Sequence, residues 1–146
     1  DQSLWLDPVE MKYIEELSGM NFFILQNSEL HTPILNGSFL AGITRDSLIT
    51  LAKHKGITVI ERDIAIQEVL NGIETGAVSE IFACGTAAIV SPVSVIADAD
   101  GSTYNVANVD QLAADLRQSL LAIQEGREAD PFSWTSTVKE AYYPNV

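Results

Sequence analysis

Three short segments carry the groups that could do chemistry. In "YIEELSGMNFF" (Tyr13 to Phe23) the adjacent Glu15 and Glu16 precede an apolar run. If that segment is extended, successive side chains point to opposite faces and one glutamate turns inward. A buried carboxylate needs a cationic or proton-donating partner; two solvated glutamates on a loop are the alternative. In "GITRDSLITLAKHKG" (Gly42 to Gly56), Leu48, Leu51 and Ala52 recur at helical spacing. Thr44 is the expected N-cap, and Gly56 can stop the helix in a left-handed conformation. Exposed first-turn N–H groups and the helix macrodipole suit such an end to an anion, although Thr44 could equally cap a plain surface helix. In "ACGTAAIVSP" (Ala83 to Pro92), Gly85-Thr86-Ala87-Ala88 separates two apolar stretches. Small residues let a ligand approach backbone N–H groups and Thr86 adds a hydroxyl; the alternative is an ordinary tight turn. Two anion cradles and one carboxylate suit a phosphorylated cofactor with a basic nitrogen. Pyridoxal phosphate fits, because its phosphate needs donors and a carboxylate keeps its ring nitrogen protonated, so that the ring acts as an electron sink.

The elements that must position these groups read as a mixed α/β order. Strands are expected at Ser3–Leu6, Asn21–Gln26, Thr58–Glu61, Glu80–Cys84, Ala88–Val90, Pro92–Ala97 and Thr103–Val106, the three from Glu80 to Ala97 buried. His31-Thr32-Pro33 and Asn36-Gly37 punctuate a connection. Besides the helix after Thr44, one is expected over Ile66–Ile73, closed near Gly76. Another runs over Gln111–Gln124, with Leu112, Leu116, Leu120 and Ile123 on one face and Gly126 at its end. Trp134, Tyr142 and Tyr143 are expected to cover a hydrophobic edge. The pattern is not a clean βαβ series, which predicts an α/β (α+β) fold: one domain over residues 1–146, a mixed-sheet pseudo-barrel with flanking helices. The glycine fingerprint of dinucleotide folds and the P-loop are both missing from the sequence.

Composition narrows the partners. A net charge of −12 over 146 residues opposes nucleic acid and anionic membranes, yet a local pocket can still hold an anion. The single cysteine, Cys84, excludes an internal disulfide, fits a reducing compartment and is expected to pack as a small residue. His31 and His54 have no neighbouring ligands at metal spacing, so no metal site is expected and both are read as surface or partly packed. No apolar run approaches the roughly 18 residues of a membrane span, and no signal-peptide pattern is present. A cytoplasmic location is therefore expected.

"YIEELSGMNFF", "LHTPILNGSFLAGITRDSLITLA", "ERDI" and "EIFACGTAAIVSPV" occur in the order seen in branched-chain amino-acid aminotransferases, the class IV, fold-type IV pyridoxal-phosphate enzymes. With the leading "LWLDPVE" and trailing "LRQSLLAIQEG", the chain resembles the C-terminal, larger domain of such an enzyme over nearly its whole length. The resemblance implies transamination between leucine, isoleucine or valine and 2-oxoglutarate in a homodimer. It implies that Glu16 pairs with the pyridine nitrogen, and that the amides of Ile43 and Thr44, with the Thr44 hydroxyl, bind the cofactor phosphate. It further implies that Thr86 adds a phosphate contact, that the Thr86 and Ala87 N–H groups receive the substrate carboxylate, and that Asn21 is structural. The family's Schiff-base lysine should precede Asp1; Lys12, Lys53, Lys55 and Lys139 match no such position, so no catalytic residue is expected in this chain and the chain alone is expected to be inactive. Ala41 stands where proline is frequent, and Ser18-Gly19 where glycine followed by a small residue is commoner; both changes could loosen the ring-side contacts. The redox cysteine pair of some members would fall at Ala88 and Ser91, so thiol regulation there is not expected. The alternatives are another class IV enzyme, such as a D-amino-acid aminotransferase or aminodeoxychorismate lyase, and a catalytically incompetent fragment or paralogue acting as a structural module.

Overall fold

The computed structural model describes residues 2–107 and 111–138. Its main body is a seven-stranded mixed sheet covered on both faces. β1 (Leu4–Leu6), β2 (Ile14–Leu17), β3 (Met20–Gln26), β4 (Glu29–Pro33) and β5 (Val59–Arg62) follow one another across it, while β6 (Val78–Gly85) pairs the other edge of β3 and carries β7 (Ile89–Pro92). β4 and β5 are parallel and joined through α1 (Ile43–His54), whereas the other pairs are antiparallel. A helical crossover is the usual way to join parallel neighbours, and it delivers the start of α1 to the carboxyl ends of the strands.

Strands β3 and β6 form the centre, and their continuous apolar runs follow from burial on both faces. Alternate residues go to opposite sides. Phe23, Phe82 and Cys84 join Leu48, Leu51 and Ala52 of α1 and Leu116, Leu120 and Ile123 of α3 (Gln111–Gln124). Phe22, Ile24, Ile81 and Ala83 join Val69 and Ile73 of α2 (Ile66–Thr75) on the other face. The opposed Phe23 and Phe82 rings stack at 5.1 Å. Gly76 (φ 78°) closes α2, and Gly56 (φ 81°) follows α1 in the left-handed region.

Several expectations need correction. Ile14–Leu17 is a strand despite its two glutamates, because the tight Ser18-Gly19 turn (φ 38° and 90°) folds it back onto β3. His31-Thr32-Pro33 belongs to β4 rather than to a connection, and the Thr32 hydroxyl donates to the Phe22 carbonyl (2.7 Å). The Pro92–Ala97 stretch is not one buried strand. β7 ends at Pro92, and β8 (Val95–Ala97) pairs only β9 (Thr103–Asn105) in a separate hairpin, with Val95 43% exposed. His31 is buried, accepting at Nδ1 from Arg62 Nε (3.0 Å), whereas His54 is exposed, edge-on to Phe132. Trp134 stacks on Phe132 (4.2 Å); Tyr142, Tyr143 and Lys139 lie outside the described residues. The span of α3 matches the sequence reading.

Candidate functional site

One row of opposed residues runs across five strands: Trp5, Glu16, Asn21, Cys84 and Val90. Directly opposed residues share a face of a sheet, and Cys84 and Val90 belong to the cluster packed on α1 and α3. Glu16 therefore lies on the α1 side, half-buried. Its neighbour Glu15 accepts from the Ser38 hydroxyl (2.6 Å) in the loop after β4. β2 is irregular here, with the register shifting between Trp5 and Leu6 and with Ile14 and Leu17 both in the α2-side cluster, so the pairing of Glu16 with Asn21 places Glu16 where simple alternation does not.

Asn21 ties the remaining pieces to that row. It is 5% exposed, and its Nδ2 donates to the Leu40 carbonyl (2.8 Å) in the approach to α1. Its Oδ1 would lie 2.2 Å from a Cβ built on Gly42, so the helix start sits against the sheet at a distance only glycine permits. The structural role read for Asn21 thus has a geometry, holding the start of α1 beside the Glu16 row.

Thr44 is not the N-cap. The cap is Gly42, extended at φ −71° and ψ 136°, and no side chain caps the helix. The first helical bond runs from the Asp46 N–H to the Gly42 carbonyl (3.1 Å), so Ile43 and Thr44 are the first two helical residues. Their N–H groups precede any possible i−4 partner within the helix, and Ile43 is 86% exposed. An uncapped start with a threonine in its first turn suits an anion better than a self-capped one does.

Two residues beyond Cys84, the β6–β7 turn presents Thr86 and Ala87, both exposed. Ile89, directly opposite Gly85, takes a positive φ of 61°, an uncommon conformation for a β-branched residue that marks this turn as tightly constrained. Cys84 lies fully buried beneath, and desolvation pushes its thiol up to about 12 against a smaller downward pull from Arg45. That cysteine packs in the core beside Phe82 and Val90.

Sequence reasoning missed two buried charges. Arg45, the third residue of α1, is 4% exposed, and its Nη2 donates to the Pro33 carbonyl (2.9 Å) and to Glu61 Oε2 (2.8 Å). Glu80 is 3% exposed and accepts from the Leu112 (2.9 Å) and Ala113 (3.1 Å) N–H groups, capping α3 from the sheet. An apolar flank hid Glu80, but a charged residue inside a buried strand was itself a signal. Among the described residues there is no group of three metal-ligating side chains and no helix long and apolar enough to cross a membrane.

Residues 1–96, which include Glu16, the α1 start and the β6–β7 turn, match the family model for amino-transferase class IV. The chain belongs to the class IV aminotransferases. It is 46% identical over 138 residues to branched-chain-amino-acid aminotransferase 2 of Bacillus subtilis, covering 94% of this chain and 38% of that protein. The branched-chain amino acid aminotransferase of Escherichia coli superposes with a TM-score of 0.75 at 31% identity, over 91% of this chain and 40% of that one. The T.th. branched-chain amino acid aminotransferase solved with pyridoxamine 5'-phosphate gives 0.67 at 34% identity, over 84% of this chain and 37% of that one. The chain thus spans well under half the length of these class IV relatives.

Proposed function

We propose that this chain is the C-terminal, cofactor-holding domain of a branched-chain amino-acid aminotransferase that uses pyridoxal 5'-phosphate and exchanges amino groups between leucine, isoleucine or valine and 2-oxoglutarate. The observation that carries the reading is the meeting of an uncapped helix start and a half-buried carboxylate on either side of Asn21. The donor set fits the cofactor. Ile43 and Thr44 offer backbone N–H groups with no helical partner, Thr44 and Thr86 offer hydroxyls, and Glu16 offers an acceptor on the same side of the sheet.

Pyridoxal phosphate, when bound, supplies a ring that accepts the electrons released at a substrate α-carbon. The chain's own residues do the rest by positioning. The α1 start fixes the phosphate end through N–H groups already aligned by the helix. Glu16 holds a proton on the pyridine nitrogen, which keeps the ring electron-poor. The N–H groups of Thr86 and Ala87 would receive the substrate carboxylate and so orient the substrate. The proton shuttle belongs to a lysine upstream of Asp1 in the full-length protein. The resemblance further implies a homodimer in the cytoplasm.

The test is turnover of leucine with 2-oxoglutarate by the full-length protein, beside Glu16→Gln. A charge-assisted hydrogen bond contributes about 1.5–3 kcal/mol, so E16Q should retain roughly a tenth to a hundredth of the activity. Wild-type turnover that E16Q leaves unchanged contradicts the assignment of Glu16; absent turnover with all three branched-chain substrates contradicts the function.

A further inference from the structure

Arg45 stands against the ordinary electrostatics of a helix. It occupies the first turn of α1, where the positive end of the dipole favours carboxylates and disfavours cations. It is nonetheless almost fully buried, and its Nε has no hydrogen-bond partner among the described residues. Among the described residues its one carboxylate partner is Glu61, which meets it through a single nitrogen and has a side chain 38% exposed to water. Asp46, the acidic residue of the same turn, is exposed. A local rule broken this way, with no full compensation among the described residues, is the pattern expected where a ligand supplies the missing charge.

We propose that Arg45 is a positioning residue for the phosphate end of the cofactor. Its guanidinium joins the Pro33 carbonyl at the end of β4 to Glu61 on β5, which pins the start of α1 to the carboxyl ends of the two parallel strands. The same cation adds positive potential to the N–H groups of Ile43 and Thr44. A phosphate dianion seated there is attracted by both, whereas the helix without it carries like charges at its first turn. The inference rests on the cofactor seat proposed above and adds a residue that does not need to touch the phosphate.

The test compares pyridoxal phosphate with pyridoxal, which has the same ring and no phosphate, by fluorescence titration of the full-length protein. The ratio of the two dissociation constants isolates the phosphate contribution from ring binding and from turnover. Arg45→Gln should lower that ratio about tenfold, the scale of one unit charge acting over about 12 Å at an effective dielectric of about 20. Arg45→Lys, which keeps the charge, should retain most of it. Glu61→Gln removes the competing negative charge and should raise the ratio. A purely structural Arg45 predicts otherwise: R45Q would weaken both ligands alike at an unchanged ratio, and E61Q would not raise it. That result overturns the proposal. If R45Q does not fold, E61Q decides the matter: a raised ratio supports the proposal and an unchanged one overturns it. A wild-type ratio near one overturns the phosphate seat itself, which is a different failure.

Discussion

Gly42→Ala should loosen the site without touching any group that contacts a ligand through a side chain. Backbone strain is not the cause, since φ −71° and ψ 136° suit alanine. Space is the cause: the new Cβ would lie 2.2 Å from Asn21 Oδ1, a buried amide held by its bond to the Leu40 carbonyl. Asn21 must rotate away, or α1 must shift. Overpacking of this kind costs about 1–3 kcal/mol, and the lost hydrogen bond adds about 1 kcal/mol. The sum, about 3 kcal/mol, corresponds to a fall in Tm of roughly 6–12 °C for a domain of this size. Calorimetry on wild type, G42A, N21A and the double variant separates the causes. Asn21→Ala alone should cost about 1–2 kcal/mol, and in its background G42A should cost under about 1 kcal/mol, because the clashing atom is gone. An unchanged G42A penalty in the N21A background would refute the argument that Asn21 and Gly42 together set the helix start.

Glu80→Ala should destabilise by about 2–3 kcal/mol in urea unfolding, because it removes a buried carboxylate cap from α3, while Glu80→Gln, retaining one acceptor oxygen, should lose less. His31 is held neutral, its titration pushed below the usual histidine range by burial and then by Arg62. Below about pH 6.5 the unfolded chain therefore binds a proton that the folded one resists, so stability should fall as pH drops through that value; His31→Gln should flatten the fall by at most one proton. Cys84, fully buried with its thiol raised to about 12, should resist a thiol reagent in the native protein and react with one equivalent on unfolding.

What the sequence made legible were the elements whose pattern is local. The face of Leu112, Leu116, Leu120 and Ile123 located α3, and the spacing of Leu48, Leu51 and Ala52 located the body of α1. β2 and β4 escaped because their strand character comes from partners rather than from apolar content. Glu16 and Leu17 extend because a tight turn lays them on β3, and Pro33 is tolerated at the last position of β4. The opposite error fell on Pro92–Ala97, where apolar residues form a half-exposed hairpin. Thr44 was misread as a cap because its residue type fits that position; the close approach of Asn21 moves the cap two residues back to Gly42. Arg45 gave no local pattern and Glu80 only that of a charge inside an apolar strand, since the partners that bury them lie 12 to 33 positions away in sequence.

The central claim is that the start of α1 seats the cofactor phosphate while Glu16 meets the ring nitrogen. A crystal structure of the full-length protein with pyridoxal 5'-phosphate tests it directly. The account predicts phosphate oxygens within hydrogen-bond distance of the Ile43 and Thr44 N–H groups and of the Thr44 and Thr86 hydroxyls, with a Glu16 oxygen on the pyridine nitrogen. A phosphate bound away from Ile43 and Thr44, or a ring nitrogen facing water or another side chain, would contradict it.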